Sequence, residues 1–137
     1  MSNVSRHMRI TEYNPDEAPE PSEWLALSEP QRVRLAQGYH VATRANVRRF
    51  KAHAVLHAAV ENQVASGYGP TKRAIARLQS EGLSRHDAIH AVGSVLEKFA
   101  HENLDATGEE RASSQSRMRE AIESLHADSR VPAENGS

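Results

Sequence analysis

Residues 71–103 read TKRAIARLQSEGLSRHDAIHAVGSVLEKFAHEN. A short helix over about 71–81 meets Gly82, a natural helix stop. Ser84 then caps a second helix, with Asp87 at its third position, and that helix runs to about residue 103. Along it Ile89, Val92, Leu96 and Phe99 recur at steps of three and four, which is the stripe of a helix buried on one side. Helices punctuated by a glycine stop and a serine cap, with no alternating pattern of useful length, predict an all-α chain.

The same punctuation extends outward. Residues 49–66 form a long helical segment ending at Gly67, with Gly69-Pro70 beyond. Before it, Ser28-Glu29-Pro30-Gln31 is a helix start, with Ser28 as cap, Gln31 reaching back and proline tolerated in the first turn. That helix is expected to run to about Val47. Residues 22–27 (SEWLAL) make one further turn, with Trp24 and Leu25 packing on the body. C-terminally, Gly108 breaks the pattern and a charged helix follows over about 109–126. The expected architecture is a bundle of four to five helices with disordered N- and C-terminal tails. Its parts are an extended or disordered arm over 1–20, a helical core over 21–107, a charged helix over 108–126 and a loose tail over 127–137.

Composition bounds the possibilities. The chain has 137 residues, about one domain. Hydrophobic residues are 38% and aromatics 4%, so the core must rest on aliphatic side chains and many alanines. Small side chains let helices approach closely, which suits helix-on-helix packing. The net charge of −1 supplies no global field for nucleic acid or acidic membranes. There is no cysteine, which excludes disulfides and thiolate chemistry. No run approaches the roughly 18 apolar residues of a membrane span, and no leader is evident. A cytoplasmic protein without a membrane role is the expectation.

Histidine is the outlier, with eight residues. Four form i,i+4 pairs, His53 with His57 and His86 with His90. At about 100° per residue, His53 and His57 fall inside the apolar stripe of Leu56, Val60 and Val64, with Glu61 at its edge. His86 and His90 flank the Ile89–Phe99 stripe. His40 shares a face with Val33, Ala36 and Val47. An i,i+4 pair sets two imidazoles on neighbouring turns, and two such pairs on packed helices would offer four nitrogens, the complement that tetrahedral zinc accepts. Imidazole with nearby carboxylate also suits iron or manganese. The candidate ligands are His53, His57, His86, His90 and Glu61. Asp87 and His40 are candidates for orienting them through hydrogen bonds. The competing reading is a buried histidine cluster satisfied by hydrogen bonds alone.

The block from His53 to Leu96 also resembles an uncharacterised bacterial family of short helical proteins, known only as a domain of unknown function. Its pattern is an H-x3-H helix ending near a glutamine, a short helix, then H-[DE]-A-[LI]-H-A-V. His53, His57, Gln63, His86, Asp87, His90, Ala91 and Val92 match. The resemblance covers about a third of the chain and implies a helical fold and a histidine site, with no activity attached. Glu61 is not a fixed part of the pattern.

Other functional classes have weaker signatures. His86-Asp87-Ala88-Ile89-His90 looks like the zincin H-E-x-x-H helix with Asp for Glu, one methylene shorter, and no third ligand is evident. His57-x3-Glu61 and His86-x3-His90 look like hemerythrin-type di-iron helices, but no further ligand helix is evident. His101-x3-Asp105 falls on the His90 helix, about 16 Å along it at 1.5 Å per residue. Glu123-x2-His126, an echo of the E-x-x-H of di-iron bundles, falls on a poorly apolar helix. There is no nucleophile elbow and no phosphate-binding glycine loop. Whether the chain is an enzyme therefore stays open, and no catalytic residue is assigned.

Between Pro30 and Val60 stand six basic residues and no acid: Arg32, Arg34, Arg44, Arg48, Arg49 and Lys51. Lys72, Arg73 and Arg77 add a second cluster, and the turn at Gly82 has helix-turn-helix spacing. The second helix of that motif is poor in side chains that read bases. Arg44, Arg48, Arg49 and Lys51 form a candidate patch for an anionic partner. The leading expectation is a metal-binding helical protein, with zinc the first choice of ion. The alternative is a regulatory or protein-interaction module with structural histidines, or a nucleic-acid-binding version of it using the 32–51 stretch.

Overall fold

The computed structural model describes residues 10–42 and 50–129. Among these residues the chain is all-α: six α-helices, one short 3-10 turn and no strand. No described helix is long and apolar enough to cross a membrane. The chain divides into two compact helical units, Met1–Tyr68 and Gly69–Ser137.

In the first unit, α1 (Pro21–Ala26), α2 (Glu29–Ala42) and α3 (Phe50–Ala65) follow an extended segment, 10–20. The Ser28 start behaves as its sequence implies. Gln31 N–H donates to Ser28 Oγ at 3.3 Å, and Ser28 N–H donates to Gln31 Oε1 at 2.7 Å. Tyr13, Trp24, Ala36, Ala54 and Ala58 form the buried cluster, lined by Ile10, Leu27, Val33, Leu35 and Tyr39. The three alanines have no side chain to hold α2 and α3 apart, and these helices make the unit's most extensive packing.

Trp24 is fully buried, and its indole N–H donates to Asn62 Oδ1 of α3 at 2.9 Å. Arg32 completes this knot. Its guanidinium donates to the carbonyls of Trp24 and Leu25, the end of α1, and to Asn62 Oδ1. A six-residue helix cannot satisfy its own last carbonyls, so an arginine from the next helix does it. Arg32 is therefore a structural side chain, only 15% exposed, and not part of a solvated basic face.

At the end of α3, Gly67 takes φ +83°. Tyr68 N–H reaches Gln63 O and Gly67 N–H reaches Val64 O, the paired bonds of a Schellman stop.

The second unit holds α4 (Gly69–Ser80), α5 (Arg85–Glu102) and α6 (Gly108–Glu123). Gly82, at φ +107°, ends α4 with the same pair of bonds, Leu83 N–H to Leu78 O and Gly82 N–H to Gln79 O. Ser84 caps α5 by accepting from Asp87 N–H at 3.0 Å. Ile75, Leu78, Ile89, Val92, Phe99 and Ile122 supply its buried apolar side chains. Thr107 and Glu110 form a reciprocal capping box, which starts α6 at Gly108.

The last helix stops at Glu123, three residues before the expected end at 126. Arg77 of α4 donates to Ile122 O and Leu125 O, holding the carbonyls where the chain leaves the helix. A short turn, Ala127–Ser129, follows. Both oxygens of Glu81 hold it: one meets His126 Nδ1 and the other accepts Ala127 N–H, each at 2.6 Å. The Glu81 carboxyl lies below the usual carboxylate range, chiefly through its hydrogen bond with His126 and then that from Ala127 N–H.

Candidate metal centre

The α5 histidines owe their positions to the helix start. With Ser84 as cap, His86 lies in the first turn and His90 one turn further on, on the same face. The two Nε2 atoms are 3.1 Å apart, the ring centroids are 4.5 Å apart and the ring planes stand at 84°. Two nitrogens at about 2.0–2.1 Å from one zinc ion would be about 2.9 Å apart at a right angle and about 3.3 Å apart at the tetrahedral angle. The observed spacing lies between these. The same atoms can instead share a proton, with one Nε2–H donating to the other ring. His86 is half-buried and His90 exposed, so an ion has open access to the pair.

On α3, His57 and Glu61 stand one turn apart and are each 1% exposed. The extended segment before α1 brings Tyr13 onto them. Its hydroxyl donates to Glu61 Oε2 at 2.7 Å and lies 3.0 Å from His57 Nδ1. The Tyr13 ring packs edge-on to the His57 ring at 5.6 Å and lies tilted against Trp24 at 5.8 Å. Tyr39 of α2 also contacts His57, at 6.4 Å. Burial and then the nearby Asp16 charge push the Tyr39 phenol up from its ordinary range. His57 thus stands in an aromatic enclosure with a polar floor. The Tyr13 hydroxyl gives its Nδ1 the hydrogen-bond partner that a buried imidazole nitrogen requires. The α3 network belongs to the first unit and the α5 pair to the second.

The remaining site candidates fall as follows. His53 lies half-buried on α3, one turn before His57. Asp87 donates its backbone N–H to the Ser84 cap. The side chains of His40 and Lys51, and residues Arg44, Arg48 and Arg49, lie outside the described residues. The di-iron likeness gains no further ligand helix. Asp105 lies beyond the end of α5, so it does not share a helical face with His101. His126 lies beyond the end of α6, and Glu123 and His126 turn to Arg73 and Glu81 respectively. In the second basic cluster, Arg73 pairs with the Glu123 carboxylate and Arg77 donates to carbonyls at the end of α6, while Lys72 and Arg73 stay exposed.

Tyr13 was not a sequence-level candidate. It lies in a polar arm with no helical period, where spacing carries no information. The available signal is that it is the one Phe, Trp or Tyr among the first twenty residues. A comparison of the chain with protein-family models, curated proteins and solved structures finds no match.

Proposed function

We propose that this protein binds a transition-metal ion through histidine nitrogen, with the pairs His53–His57 of α3 and His86–His90 of α5 as the candidate donors. Zinc is the first choice because it accepts three or four imidazoles in tetrahedral geometry. Iron or manganese is the alternative, and either would recruit a carboxylate more readily. Glu61 belongs to the site through Tyr13, its hydrogen-bond donor. The observation that carries the reading is the 3.1 Å approach of the two Nε2 atoms on α5, a chelate spacing built within one helix.

Elemental analysis of untagged protein, purified without chelator, tests it. Near-stoichiometric zinc in the wild type, lost in His86→Ala and His90→Ala and reduced in His57→Ala, is the expected result. About two iron or manganese ions per chain would replace zinc with a di-metal centre. A wild type that binds no metal, before or after loading, would end the proposal. The α5 contact would then be a proton shared between two imidazoles.

A further inference from the structure

The polar floor beneath His57 determines which of its nitrogens carries the proton. We infer that Tyr13 and Glu61 hold His57 in the Nδ1–H tautomer, leaving the lone pair on Nε2. Tyr13 is thereby a positioning residue for the ligand atom. Its consequence for metal binding rests on the proposed role of His57, whereas the tautomer itself does not.

The argument is a count of protons. A phenol has one O–H to donate and lone pairs with which to accept. The Tyr13 oxygen has Glu61 Oε2 at 2.7 Å and His57 Nδ1 at 3.0 Å. A carboxylate can only accept, so the Tyr13 proton points to Glu61, and the shorter distance fits a charge-assisted bond. The Tyr13 oxygen then faces His57 Nδ1 with a lone pair. If Nδ1 also presented a lone pair, two acceptors would meet at hydrogen-bond distance in a buried site. There the local dielectric is low and the mismatch is costly. The proton between them must belong to the ring, so Nδ1–H donates to the Tyr13 oxygen. A neutral imidazole has one N–H, and Nε2 is therefore the basic nitrogen. This is the arrangement in which one ring nitrogen is anchored by a hydrogen bond and the other is the better metal ligand.

Tyr13, His57 and Glu61 are 6%, 1% and 1% exposed, so water competes little for these bonds. Tyr13 is also 44 residues from His57 in the chain. Anything that undocks the 10–20 segment removes the anchor, which ties the ligand state of His57 to the packing of that segment.

The test uses full-length, metal-free, nitrogen-15-labelled protein at neutral pH. Two-bond proton–nitrogen correlation of the imidazoles reads the tautomer directly, with His57 assigned by comparison with His57→Gln. The expected wild-type spectrum shows His57 with the proton on Nδ1 alone. A proton on Nε2 would overturn the inference, whether from a reversed chain in which a protonated Glu61 donates to Tyr13, or from a doubly protonated ring. In Tyr13→Phe the tautomer preference is expected to relax towards a mixture. Zinc affinity, measured against a chromophoric chelator, should fall about 10- to 100-fold. A Tyr13→Phe spectrum identical to wild type would remove Tyr13 from the role. If no protein in the series binds zinc, the metal-binding proposal fails, while the wild-type spectrum still decides the tautomer.

Discussion

His57 with Glu61 on α3, and His86 with His90 on α5, follow the same spacing arithmetic in opposite surroundings. Each pair sits one helical turn apart on one face. The α3 pair is buried under Tyr13, beside Tyr39, with His57 Nδ1 and Glu61 Oε2 both engaged by the Tyr13 hydroxyl. On α5, His86 is half-buried and His90 exposed, and the two rings meet each other. The spacing makes two side chains neighbours, and the surroundings decide what that does. A buried imidazole is oriented by its partners and is costly to remove. An exposed imidazole such as His90 carries little folding energy and is accessible to an ion.

Truncation should separate the two groups most sharply. His57→Ala leaves a cavity and strips Tyr13 of a partner in the core of the first unit, so a loss of about 2–4 kcal/mol is expected. His90→Ala should stay within about 0.5 kcal/mol of wild type without metal. Urea unfolding of metal-free proteins compares them, and equal losses would erase the distinction. Zinc should sharpen the contrast from the other side. At free zinc of 100 times Kd the wild type gains about 2.7 kcal/mol, because only the folded state presents the assembled ligands. His90→Ala should gain far less. A wild-type Tm indifferent to zinc would contradict the metal reading.

A smaller effect probes burial without hydrogen bonding. Ser114 on α6 is 1% exposed, and its hydroxyl has no partner. Where Tyr13 satisfies buried groups in the first unit, this hydroxyl in the second is left unpaired. Ser114→Ala should therefore stabilise the protein by about 1 kcal/mol, since it removes a desolvated donor and improves helix propensity. A drop in the unfolding midpoint would show that the hydroxyl is satisfied in solution.

The smallest effect lies at the exposed clasp of Glu81 with His126. The folded-state pKa of Glu81 is lowered, so its contribution is present above the ordinary carboxylate value. It is lost as pH falls through the folded value. Glu81→Gln should make the acid-side decline of stability shallower and leave stability near neutral pH little changed. An unaltered acid limb would mean that the clasp contributes nothing.

Helix positions were legible because their signals are local. Ser28 with Gln31, Ser84 with Asp87, and the stops at Gly67 and Gly82 each act within a few residues, and each appears in the structure as read. The end of α6 was misplaced because its stop is Arg77, 45 residues away from the carbonyl it holds at Ile122. Arg32 was read as surface charge because composition cannot show an arginine turned towards the end of a preceding helix. The i,i+4 approach of His86 and His90 was visible in advance because one helix contains it.

The sequence by itself determined an all-α chain, most helix boundaries among the described residues (the expected end near Val47 lies outside them) and the pairing of histidines along each helix. These follow from bonds and periodicities spanning at most five residues. Only tertiary structure placed Tyr13 over His57 and Glu61, joined Trp24 to Asn62 and set Arg77 on α6. Those contacts join residues 38 or more apart in the chain. They are chosen by which faces pack together, and no local spacing encodes that choice.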